Sequence, residues 1–285
     1  MSMDLQIRQM SSDDVSDAMR LKKAAHWNQV PQDWTGFIGI EPEGCFVGEL
    51  DDRVVTTATN FNYAHRFGWI GMILVDPTQR RKGIATRMME RSITYLESLP
   101  CPCQKLDATD AGAKVYEKIG FVVEYQVERW THPGSPRGSG ETPDVCGMTM
   151  EHLDIISEWD SEIFGASRKR LLKWYIENSA PSLLLGTPND PKGFLVGRPG
   201  SGAFQLGPLA AEDSEVASAL IQAYLTHLNG QPMIADISLA NPEAKDLLGG
   251  IGFRPSRVLQ RMYRGPNDYP GDPSRAFLLA GFEFG

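Results

Sequence analysis

The chain has 285 residues, a length that fits two domains of ordinary size, and its 41% hydrophobic and 22% charged residues allow each of them a core. The net charge of −8 speaks against a nucleic-acid partner, whose binding rests on neutralising phosphates, and is compatible with attraction of a cationic substrate such as a protonated amine. The first residues lack the basic and apolar segments of a signal peptide, and no apolar run approaches the roughly 18 residues of a membrane span, so a cytoplasmic protein with no membrane partner is expected.

In chain order, residues 11–23 read as a helix, with Ser11 and Asp14 placed as a capping box. Residues 26–34 are aromatic, polar and broken by Pro31. Residues 45–49 and 54–61 flank Asp51-Asp52 as a β-hairpin. Residues 69–75 form an apolar strand stopped by Asp76-Pro77. In 85–99, Ala85, Met88, Met89, Ile93, Leu96 and Leu99 fall on one face of a helix. A strand over 105–109, a helix over 111–118 ended by Gly120, and a strand over 121–130 follow. Residues 131–143 have the Pro, Gly and Ser content of a surface linker. Beyond it, helices are expected over 153–159, 168–177, 216–228 and 244–248, and strands over 193–197, 203–209, 233–238 and 255–263. The tail, 276–285, is too apolar to stay in water and is expected to pack on one domain or between both. Cys45, Cys101, Cys103 and Cys146 form no CxxC pair and share no ligand spacing with the scattered histidines, so no metal is expected.

The stretch 72–86 joins a strand to a helix through Arg80-Arg81-Lys82-Gly83. A helix start offers unpaired N–H groups and a partial positive charge, and glycine allows close approach of a ligand. Cations at such a place suit a pyrophosphate. The order Lys82-Gly83-Ile84 is not the ending of a P-loop, and no GxGxxG is present there. The pattern Arg80-x-x-Gly83-x-Ala85, after a strand ending Val75-Asp76-Pro77 and before an amphipathic helix, resembles the acyl-CoA signature of the GNAT acetyltransferase superfamily.

That resemblance covers about residues 4–131. It implies an α/β (α+β) fold with a mixed, mostly antiparallel sheet flanked by helices, and acetyl-CoA as cosubstrate without a metal. It also implies pyrophosphate binding by Arg80, Arg81, Lys82, Gly83, Ile84, Ala85 and Thr86, and pairing of the pantetheine with the strand edge at Ile73, Leu74 and Val75. Tyr116, four residues before Gly120-Phe121, matches the family's tyrosine that protonates the departing thiolate. Its other reading is a half-buried helix residue, with Val115 and Ile119 as the core-facing pair and Tyr116 about 100° away. Asp107 and Asp33 are the candidate bases, each equally readable as a structural Asp. The segment carrying Trp27 and Asp33 either shapes the acceptor pocket or plugs one end of the core. Family members often have Asn where Asp110 stands.

The second half echoes the first: Ala217, Leu220 and Ile221 repeat Ala85, Met88 and Met89, and 248–253 repeats 116–121. In that register Glu212 and Glu215 replace Arg80 and Gly83. Acidic side chains repel a pyrophosphate, so 151–285 reads as a degenerate GNAT-like domain after a domain at 1–131 and a linker at 132–150. The expected activity is transfer of an acetyl group to a primary amine of a small molecule, by a monomer or homodimer. A non-catalytic acyl-CoA sensor is the alternative, kept open because the strand 69–75 contains no acid.

Overall fold

The computed structural model describes residues 4–134, 145–179, 181–187, 190–228 and 230–285. Most of the expected linker lies outside them. The first half runs β1 (Gln6–Gln9), α1 (Val15–Ala24), α2 (Pro31–Ile40), β2 (Cys45–Leu50), β3 (Arg53–Tyr63), β4 (Phe67–Val75), α3 (Ile84–Ser98), β5 (Gln104–Ala108), α4 (Asp110–Tyr116) and β6 (Val122–His132). The second runs β7 (Val145–Gly147), α5 (Leu153–Phe164), α6 (Lys169–Asn178), β8 (Leu183–Thr187), β9 (Asp190–Arg198), β10 (Phe204–Ala211), α7 (Ser214–Leu225), β11 (Met233–Ser238), α8 (Pro242–Ile251), β12 (Arg254–Arg264) and β13 (Ala276–Leu278).

Local chemistry accounts for the boundaries. Asp51 and Asp52 both adopt positive φ, as a tight two-residue hairpin turn requires. The capping box at Ser11 is present, with its N–H donating to Asp14 Oδ2 at 2.8 Å. Residues 26–34 behave differently from their appearance. Pro31 does not break structure but opens α2 at its first position, where no N–H is needed, and Asp33 Oδ2 accepts from the Val30 N–H at 2.7 Å. In α4 the inward residues are Ala113 and Tyr116, whereas Val115 is 42% exposed. The helix ends at Tyr116 and tightens into a 3-10 turn, so the expected Val115–Ile119 pairing is not kept.

The strands join in one sheet, in the order β1-β2-β3-β4-β5-β12-β6-β11-β10-β9-β8-β7, with β13 added on β10. Among the described residues only β4–β5 and β10–β11 are parallel. The halves exchange their last strands. β12, late in the chain, pairs with β5 of the first half, while β6 pairs with β11 of the second. Between them β6 and β12 form a long antiparallel seam, from Arg254 opposite Thr131 to Tyr263 opposite Val122. The expected division at residues 131 and 151 therefore divides the sequence but not the sheet.

One core lies on the α1, α2, α5 and α6 side, with Trp34, Phe37, Phe61, Tyr175 and Phe284 among its buried rings. Others lie under α3 and under α7. The tail is pinned across both halves. Phe277 and Leu278 enter the core under α7, and Phe284 the first. Tyr63 Oη donates to the Phe284 carbonyl at 2.7 Å, Trp69 Nε1 to that of Phe282 at 3.1 Å, and Tyr175 Oη to that of Ala280 at 3.0 Å. Among the described residues no helix is long and apolar enough to cross a membrane.

Candidate active site

β4 begins as a partner of β5 but leaves it after Gly68 and Trp69, the last residues that pair. The cause is a bulge. On β3, Thr57 faces Leu74 and Thr59 faces Gly71, so Ala58 alone opposes Met72 and Ile73. Met72 takes the positive φ of 51° that the extra residue demands. Thr57 Oγ1 donates to its carbonyl at 2.8 Å, and Thr56 Oγ1 to the Leu74 carbonyl at 2.7 Å. These bonds fix the bent strand, and a wedge opens between it and β5.

A cavity of about 220 Å3 fills this wedge. Ile70 to Ile73 form one wall and Leu106 to Thr109 the other; Met89 and Tyr116 approach from the α3 and α4 side. Trp27, Gln29, Arg129, Arg257, Phe282 and Glu283 close the opposite side. Strand exchange puts Arg257 there from β12, and the tail delivers Phe282 and Glu283.

Tyr116 is half-buried, and burial raises the pKa of its phenol above the ordinary value. Its hydroxyl has no hydrogen-bond partner among the described residues. The Asp107 side chain is fully buried, and both of its oxygens accept from Arg261, from Nε and Nη2, at 2.9 Å each. Burial raises its pKa while Arg261 pulls the other way. Asp33 does not line the cavity. It caps α2 and lies 2.8 Å from Arg198 Nη1, both side chains being 2% exposed. Arg198 Nη2 in turn binds Glu283. Trp27 does line the cavity, half-exposed. Beside it, Gln29 Oε1 is buried without a partner among the described residues.

The loop before α3 is held from below. Asp76 accepts from the Thr78 N–H and hydroxyl at 3.0 and 2.8 Å and pairs with Arg20 and Arg53. Arg80, Arg81, Lys82 and Gly83 are exposed. Gly83 opens α3 in the left-handed conformation, φ 78°, with no side-chain cap on the helix. A Cβ there would meet nothing within 4 Å, so the backbone stands open to a ligand. Ile84 turns into the core and leaves Ala85 and Thr86 half-exposed. These residues fit a pyrophosphate. Ile73 faces the wedge, whereas Leu74 packs in the α1–α2 core and Val75 beside Ile84.

The second half repeats the wedge and closes it. β10 and β11 pair from Phe204 to Leu206, after which β13 enters: Leu278 faces Leu209, and the Leu279 N–H donates to the Asp236 carbonyl at 2.7 Å. At the start of α7 the Asp213 carboxylate accepts from the Val216 N–H at 2.9 Å, so an acid occupies the place of an anion. Glu212 stands next to it, paired with Lys192.

A mixed, mostly antiparallel sheet flanked by helices is the fold that the resemblance in sequence implies. Two family models match the chain, "Acetyltransferase (GNAT) family" over residues 10–121 and "Acetyltransferase (GNAT) domain" over 156–278. The chain belongs to the GNAT acetyltransferases, as a tandem of two such domains. It is 25% identical over 265 residues to the holothin acyltransferase of Pseudoalteromonas sp. (strain SANK 73390), covering 92% of this chain and 88% of that one. It is 27% identical over 188 residues, 65% of each chain, to the uncharacterized N-acetyltransferase YitH of Bacillus subtilis (strain 168). In fold it is similar to a putative acetyltransferase from Pyrococcus horikoshii, with a TM-score of 0.84 at 22% identity over 99% of this chain and 96% of the other. A tandem GNAT protein from the clavulanic acid biosynthesis pathway gives 0.62 at 13% identity over 93% and 100%.

Proposed function

We propose that the protein transfers an acetyl group from acetyl-CoA to the primary amine of a small molecule, by direct attack within the β4–β5 wedge. One observation carries this reading. Tyr116 and Glu283 line one cavity together with Ile70 to Ile73, on the strand that leads into the open start of α3.

Arg80, Arg81, Lys82 and the N–H groups from Gly83 to Thr86 hold the pyrophosphate. The freed edge of β4 pairs with the donor's amides, and an N–H near Ile73 polarises the thioester carbonyl. Glu283 takes the proton of the amine, directly or through a water, as its nitrogen attacks. The C–N bond forms and the C–S bond breaks, and Tyr116 gives its proton to the departing sulfur. Asp107, with both oxygens on Arg261, is poorly placed to accept a proton and instead keeps Arg261 in position. Asp33 acts through Arg198 on Glu283, and Trp27 forms a wall for the acceptor.

The sensor reading drew on the lack of an acid on β4. Glu283 supplies one from the tail and favours catalysis. Incubation of the full chain with acetyl-CoA and a panel of small primary amines tests the choice. Free thiol and N-acetylated amine in equal amounts are expected. CoA binding with no transfer to any amine would leave the sensor.

A further inference from the structure

One charge on the acceptor side of the cavity has no partner among the described residues. Glu283, which lines the cavity, pairs with Arg198, and Arg198 also pairs with Asp33 outside the lining. Arg129 is satisfied, since Asp236 accepts from its Nε and Nη2 at 2.7 Å each. Arg261 is likewise satisfied by Asp107. Arg257 is not. It is half-buried, lines the cavity, and has neither an ion pair nor a hydrogen bond among the described residues. Burial, with the nearby charge of Arg129, lowers its pKa, while Asp236 opposes the shift.

A half-buried guanidinium with no acceptor beside a cavity is free to take one from a ligand, and its planar fork matches a carboxylate or a phosphate. A neighbouring depression shares Trp27 and Arg129 with the cavity and adds Lys22, Lys23 and His26. Its surroundings are thus basic in a chain of net charge −8. Local charges decide what a pocket takes, so the bulk charge does not imply a purely cationic acceptor.

We propose that the acceptor is an amine that also bears an anionic group, a carboxylate or a phosphate, bound by Arg257 while its nitrogen meets Glu283. This rests on the acyl-transfer reading of the cavity. The free Oε1 of Gln29 accepts a further N–H of the acceptor.

Three probes that share a primary aminoethyl group separate the cases: ethylamine, β-alanine and 2-aminoethyl phosphate. Each is titrated into the full chain saturated with CoA, which occupies the phosphate loop, and binding is read by saturation-transfer NMR. At least one anionic probe should bind roughly 10- to 100-fold more tightly than ethylamine, the magnitude of a charged hydrogen-bonded pair. Its identity tells carboxylate from phosphate. Arg257→Gln should remove that margin and leave CoA affinity unchanged, and Arg257→Lys should restore part of it. Equal binding of all three probes, no binding of any, or an unchanged margin in Arg257→Gln would overturn the proposal. CoA affinity, measured on the same samples, reports separately on the donor site. Its absence in the parent chain would overturn the acyl-transfer reading itself.

Discussion

A Cβ on Gly71 would stand 2.8 Å from the carbonyl oxygen of Glu283 and 3.2 Å from its Cα. The tail lies against the bulged strand because this position has no side chain, and that contact sets the place of Glu283 in the cavity. Gly71→Ala should cost about 1–3 kcal/mol of stability, since the contact is with backbone that cannot swing away. It should lower kcat/KM for the acceptor more than it changes CoA affinity, because the phosphate loop is untouched. Thermal unfolding and steady-state kinetics on one preparation check both. Unchanged acceptor kinetics would separate the tail from the acceptor site.

The two wedges make opposite predictions for the donor. In the first half Gly83 leaves α3 open, whereas in the second Asp213 caps α7 and β13 fills the gap. Calorimetric titration of the full chain with CoA should therefore give one site. Gly83→Glu, which adds bulk and negative charge in open space, should abolish that site in a folded protein. Two equivalent sites, or an unchanged affinity in Gly83→Glu, would refute the assignment.

Arg198 stands between Asp33 and Glu283, with all three side chains at most 3% exposed. Truncation leaves two buried carboxylates without a cation. Arg198→Ala should cost about 3–5 kcal/mol. At roughly 2–4 °C per kcal/mol for a chain of this size, the loss is readily seen by calorimetry. Adding Asp33→Asn and Glu283→Gln to the same chain should recover part of it, because the uncompensated charges disappear. If Arg198→Ala is as stable as the parent, the cluster does not hold the tail.

What was legible in the sequence was local. The stretch 72–86 is contiguous, and its strand, turn and helix each have their own signal, while the short helix carrying Tyr116 is marked by the Gly120-Phe121 that follows it. The acceptor side was not legible, because it is assembled across the chain. Arg129 and Arg257 reach it through the strand exchange, and nothing in the alternation of β6 or β12 says which neighbour each will pair with. Glu283 arrives on a tail whose hydrophobicity signalled burial but no destination. Asp33 reads in sequence as a candidate base or a structural Asp, and its partner, Arg198, lies far along the chain on β9. One local signal on this side is carried by Pro31. Followed by Asp33 and then apolar Trp34, Phe37 and Ile38, it marks a helix start as well as it marks a break.

Tyr116→Phe keeps the ring beside Phe121 and removes only the hydroxyl, which has no hydrogen-bond partner among the described residues. If that hydroxyl protonates the thiolate, turnover should fall by about 10²–10⁴-fold with little change in CoA affinity. Proton donation needs the neutral phenol, and burial raises its pKa from 10, so its loss should appear only as a descending limb above about pH 10. A limb between pH 7 and 9 would belong to another group and should survive in Tyr116→Phe. The leaving group supplies a second test. Acyl donors with more acidic thiols need less protonation, so their rates should fall less in the variant. Equal losses for good and poor leaving groups would make Tyr116 a residue that positions the donor, and the proton would then have to come from solvent entering the wedge.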